Sequence, residues 1–258
     1  MLFRSANDYV FHGYNDNMPA MSVRAMILAG DVLGRKDCTD RGLFHLEGLC
    51  AHFERRGLLA EYTSGTYSPI ALTALLDVAE CSTNKTAREM ATACANRILL
   101  DVFGHWHRGV GGIGGAQSRA YTSDLQNWLS VMNAQMWYLT GDPRCVNPIE
   151  PLQDPDAYPG HIHHGRNLAF NLAQYAEVMT PRYDTIAPAV RNWARAPRRY
   201  PYEIFGTADS GVIVQCARRD AGTGFQVSLL FLDLPRKAHS HLTNSSASSR
   251  PLSISISR

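Results

Sequence analysis

The chain has 258 residues, a formal net charge of +2, 45% hydrophobic and 19% charged residues. That balance describes a folded protein with length enough for a sizeable core, and it excludes a chain disordered as a whole or a strongly basic nucleic-acid binder. No apolar run reaches the roughly 18 residues needed to cross a bilayer, and the first residues show no apolar stretch followed by a small-residue cleavage site.

The first helix is expected from 17 to about 33, where Ala20, Met21, Val23, Ile27, Leu28 and Val32 recur at helical spacing. Asp16 or Asn17 suits its cap, Pro19 its first turn and Gly34 its end. A second helix is expected from about 39 to 56, with Leu43, Leu46, Leu49, Cys50 and Phe53 as its stripe and Gly57 as its stop. Ser68-Pro69 restarts the chain into a third, and a fourth runs from about 85 to 103. Ser123 would cap a fifth through Trp137, and a sixth covers about 166 to 178. The first, third and fifth starts lie roughly 50 residues apart, which is the mark of repeated helix pairs. Pairs repeated at this period pack side by side as an arc or ring.

After about residue 200 the pattern turns β-rich, in "YPYEIFG", "GVIVQCA" and "FQVSLLFLDL", separated by turn signals. The last segment, from 235 to 258, is Ser-rich and reads as a disordered or aberrant end, and the strands before it are few for a sandwich, so the chain reads as cut short. The expected organisation is a helical domain over 1–200, a β-rich segment over 201–234 and a Ser-rich tail over 235–258. The six cysteines, at 38, 50, 81, 94, 145 and 216, include no C-x-x-C pair and read as structural or free thiols.

Three loops on one rim of such an arc carry most of the functional groups: "HGYNDNMP" at 12 to 19, "AEYTSGTYSP" at 60 to 69, and "HWHRGVGGIGGAQSRAY" at 105 to 121. The glycines of the third lack the G-x-x-x-x-G-K-[ST] pattern and follow a helix, so neither a P-loop nor a dinucleotide site is indicated. The glycines instead let the backbone turn tightly and approach a ligand. His105 with His107, and the cluster His161, His163 and His164, lack H-E-x-x-H or paired-cysteine support; no metal and no cofactor is expected.

The runs "YNDNMPAMSVRAMILAGDVLG", "RRGLLAEYTSGTYSPIALTALLDVAE" and "GGAQSRAY" together resemble the α/α-toroid polysaccharide lyases of the heparinase and alginate-lyase type. The resemblance covers roughly residues 10 to 180. It rests on an Asn-rich helix start, a Glu-containing loop before the next hairpin and an R-x-Y after a glycine-rich turn. It implies a mainly α fold of repeated helical hairpins forming an incomplete α/α toroid, followed by the start of a C-terminal β-sheet region. The implied reaction is β-elimination on an acidic, uronic-acid polysaccharide, with neither nucleic acid nor membrane as partner.

Such chemistry needs a donor that neutralises the uronate carboxylate, a base for the C5 proton and an acid for the leaving oxygen. Carried over by position, Asn17 and Arg119 act on the carboxylate, Tyr121 is the base or acid, and His105 or His107 is its partner. Glu61, Tyr62, Tyr67 and Gln117 would face the sugar. A phenol with a pKa near 10 is a poor base unless a cation such as Arg119 favours its ionised form. Arg119 and Tyr121 face one way if that segment is extended. Met18 stands where lyases of this type usually carry a His after the Asn. Two alternatives remain: a glycoside hydrolase on the same ring, with Glu61 and Asp124 as its carboxylate pair, and a non-catalytic sugar-binding protein.

Overall fold

A computed structural model of the chain describes residues 15–57, 59–61, 64–107, 112–113, 131–141, 173, 176–197, 202–208, 211–218, 226–233 and 254–257. The protein is mainly helical. Helix α1 spans Asn17–Leu33 and α2 Lys36–Arg56; α3 spans Tyr67–Cys81 and α4 Lys85–His105. Two shorter helices follow, α5 at Val131–Thr140 and α6 at Pro188–Arg195.

The helix ends obey simple chemistry. Gly34 and Gly57 close α1 and α2 at φ 64° and 77°, in the left-handed region that costs a Cβ-free residue least. Asn84 caps α4 by accepting the Ala87 N–H at 3.0 Å. Helix α2 starts three residues before the expected Thr39, and its first turn carries a Lys36–Asp40 ion pair at 2.5 Å. Of the expected fifth helix, 131–140 is described, and of the sixth, Ala173 and 176–179. The remaining parts of both lie outside the described residues.

Helices α1 and α2 form an antiparallel hairpin. Gly30 lies against Thr39, and Gly42 against Ile27 and Met26, so partner positions run in opposite directions. Helices α3 and α4 form a second hairpin across the 82–84 turn. The two hairpins stack with like helices side by side. Arg24 on α1 reaches Asp77 on α3 at 3.0 Å, and Asp31 at the end of α1 accepts from Ser82 Oγ just beyond α3 at 2.8 Å. Between α2 and α4, Cys50 meets Cys94. Offsets of 53, 51 and 44 residues at these three contacts match a hairpin-sized repeat.

The core lies between the hairpins, with Val23, Ile27, Leu46, Leu49, Leu72, Leu75, Leu76, Ile98 and Leu99 nearly or fully buried. Helix α5 joins it beside α3, where the Met132 N–H donates to the Gly65 carbonyl at 3.0 Å. Helix α6 closes over α4: the Asn96 amide oxygen accepts the Ala187 N–H at 2.8 Å, and Trp193 meets Phe103 edge to face.

Short strands β1 (Trp106–His107) and β2 (Gly112–Ile113) pair antiparallel directly after α4. Beyond residue 200 the backbone forms β3 (Tyr202–Ala208), β4 (Gly211–Arg218), β5 (Gln226–Asp233) and β6 (Ile254–Ser257), antiparallel in the order β5-β4-β3-β6.

Candidate functional site

The start of α1 and the loop before α3 are fastened by a reciprocal clasp. Glu61 Oε2 accepts the backbone N–H of Asp16 and of Asn17, both at 3.1 Å. In return Asp16 Oδ2 accepts the backbone N–H of Ala60 and, at 3.3 Å, of Glu61. A carboxylate at a helix N-terminus satisfies donors that have no partner inside the helix and complements the helix dipole. Here the carboxylate comes from a residue 45 positions away rather than from the helix's own cap, since Asp16 makes no capping bond within α1. His52 of α2 places its Nε2 3.7 Å from the other Asp16 oxygen, Oδ1. All three side chains are buried, with Asp16 and Glu61 at 0% and 1% exposure.

The same loop is held at its far end. Ser64 Oγ accepts the Tyr67 N–H at 3.1 Å at the start of α3, and Ser68 Oγ donates to the Glu61 carbonyl at 3.0 Å. Asn17, the first residue of α1, is 7% exposed, and its side-chain oxygen is buried with no hydrogen-bond partner among the described residues. A buried amide oxygen left without a donor is uncommon and calls for an explanation.

His105 ends α4, fully inside the protein at 1% exposure. Its Nδ1 lies 2.9 Å from the Asp101 carbonyl and 3.6 Å from the Asp101 carboxylate. A carbonyl only accepts, so the Nδ1 nitrogen is the donor in this contact. Arg97, Asp101 and His105 repeat every four residues on α4 and therefore share one helix face. Burial lowers the Arg97 pKa, and the Asp101 carboxylate opposes that shift.

A second charged cluster lies further along α1. Arg24 bridges Asp77 of α3 at 3.0 Å and Glu177 at 2.6 Å. Burial pushes the Asp77 carboxyl up, against the pull of Arg24.

Of the sequence-derived candidates, Asn17 and Glu61 are brought together at the clasp. Tyr67 opens α3 at half-buried exposure. His105 sits at the α4 end, and His107 follows in β1, paired with Gly112. Tyr62, Gln117, Arg119, Tyr121 and Asp124 lie outside the described residues, as do His161, His163 and His164. Sequence reasoning passed over His52, Arg97 and Asp101. The signal for the last two was present, since Asp101 and His105 stand four apart on an expected helix; nothing local announces His52. Among the described residues no group of three or more His, Cys, Asp or Glu side chains is arranged to hold a metal ion, and no helix is long and apolar enough to cross a membrane.

These features define a mainly helical protein of stacked hairpins with a buried polar junction between them. A family model matches residues 4–172, and the chain belongs to that family, described as a domain of unknown function (DUF8769). No curated protein and no solved structure matches the chain.

Proposed function

We propose that this protein is carbohydrate-active and of the polysaccharide-lyase type, cleaving uronic-acid polysaccharide by β-elimination. Its stacked hairpins would continue round as an α/α toroid, with the strands after residue 200 beginning a β-sandwich. The observation that carries this reading is Asn17. Its backbone N–H donates to the buried Glu61 carboxylate at 3.1 Å, which fixes the start of α1. A side-chain amide on a backbone held in place can aim its NH2 group, a hydrogen-bond donor, at a substrate carboxylate.

Asn17 and Arg119 polarise the uronate carboxylate, Tyr121 moves the C5 proton, and His105 or His107 serves the leaving oxygen. Glu61 acts through Asn17 as a positioning residue. Tyr67, with Tyr62 and Gln117, contributes to the sugar-facing side. The glycoside-hydrolase alternative is disfavoured by the Glu61 carboxylate, which is occupied by two backbone amides and sealed from solvent.

Incubation with alginate, heparin and other uronans tests the proposal through the ultraviolet absorbance of the unsaturated uronate product. Tyr121→Phe should lower turnover by about 10²-fold or more, as expected for loss of a proton-transfer group. New reducing ends without that absorbance would indicate hydrolysis. Sugar binding without turnover, unchanged in Tyr121→Phe, would indicate a non-catalytic binding protein.

A further inference from the structure

Cys50 of α2 and Cys94 of α4 face each other with their sulfurs 3.3 Å apart, and both are free thiols. They join the two hairpins across the core: Cys94 is buried at 3% exposure, while Cys50 is partly open to solvent. We infer that Cys50 and Cys94 form a reversible disulfide when the protein meets hydrogen peroxide, locking the two hairpins together. A disulfide needs sulfurs about 2.05 Å apart, so the thiols must close by little more than about 1 Å, within reach of small side-chain rotations.

The two sulfurs have different roles. The hydrogen-bonding contact with Cys94, in which either thiol can donate, lowers the Cys50 pKa against the effects of burial and of Glu54 and Glu47. The same contact and burial push the Cys94 thiol well up. Cys50 is thus the more exposed and more readily ionised sulfur, the combination that makes a thiol reactive. Its thiolate attacks one peroxide oxygen, breaking the O–O bond and giving a sulfenic acid and hydroxide. The Cys94 sulfur then attacks the Cys50 sulfur and expels the sulfenic oxygen as water, taking up the Cys94 proton. Two thiols and one peroxide become one disulfide and two waters; both sulfurs are oxidised and both peroxide oxygens reduced.

The link would close a loop that contains the whole of α3 and the Glu61 loop, and it would tie the helix of His52 to the helix of His105. It stands apart from the lyase reading, since it requires no carbohydrate. Exposed Cys81 supplies an internal comparison.

The test uses the full reduced chain treated with a small excess of hydrogen peroxide, blocked with N-ethylmaleimide under denaturing conditions, digested and mapped by mass. The expected product is a Cys50–Cys94 cross-linked peptide pair, lighter by two hydrogens and split again by dithiothreitol. Oxidation should raise the melting temperature by roughly 5–10 °C. In Cys94→Ser the sulfenic acid at Cys50 should persist and be trapped by dimedone, and in Cys50→Ser position 94 should stay reduced. Overoxidised Cys50 beside alkylated Cys94 in the wild-type chain would overturn the inference, as would Cys50 paired with any other cysteine. The wild-type map decides the question even if a variant fails to fold.

Discussion

His45 shows how burial turns one side chain into a source of acid sensitivity. It lies on α2 at 4% exposure, edge-on to the Phe44 ring and near Arg41. Burial first, and then the Arg41 charge, lowers its pKa from the ordinary 6.5. Below 6.5 the unfolded chain binds a proton there that the folded chain refuses, so acid favours unfolding. The stabilising contribution is complete above 6.5 and is lost as the pH falls through the window beneath it. Denaturant unfolding measured across this range should therefore show a steeper fall in stability for the wild type than for His45→Leu. Parallel curves would remove His45 as the cause.

The close approach of α1 and α2 depends on two glycines facing opposite helices. A Cβ on Gly42 would stand 2.6 Å from Ile27 Cγ1 and 3.2 Å from the Ile27 backbone nitrogen. One on Gly30 would run into the Thr39 side chain and lie 2.9 Å from its backbone nitrogen. Gly42→Ala should lower stability by about 1–3 kcal/mol through overpacking, even though alanine is the better helix former. Urea denaturation would measure it, and a neutral or stabilising result would mean that the hairpin relaxes freely. The periodic apolar stripes made α1 to α4 legible in the sequence, along with the Gly34 and Gly57 stops, because each depends only on neighbours in the chain. Helix α6 was not expected: it is eight residues long and buries only Val190 and Ala194, too short a stripe for periodicity to register. The clasp was half legible. Glu61 and Asn17 stood out as residues, but their meeting spans 44 positions and no local pattern encodes it. The Arg119–Tyr121 part of the candidate site remains a sequence-based proposal.

Across the molecule, polar ties at the margins of the apolar core hold the later segments to the hairpins. Tyr183 has φ 60°, and its hydroxyl donates to the Val178 carbonyl at 2.7 Å while accepting from Gln135 of α5 at 2.8 Å. The Glu80 carboxylate of α3 accepts the N–H groups of Arg182 and Tyr183. The clasp is the counterpart of this arrangement at the other end of the stack. The first turn of a helix is ordinarily its loosest part, and its amides exchange with solvent hydrogen by fraying. At α1 the Asp16 and Asn17 amides can be released only if the buried Glu61 carboxylate lets go, which requires the hairpins to separate. Their hydrogen exchange should accordingly track global opening, with protection close to that of core amides such as those of α3. Glu61→Ala should cut that protection by roughly 10–100-fold, the equivalent of about 1.5–3 kcal/mol for a charged hydrogen bond. Fast exchange at both amides in the wild type would show that the clasp is not closed in solution. A helix terminus thereby becomes a gauge of whether the whole stack is shut.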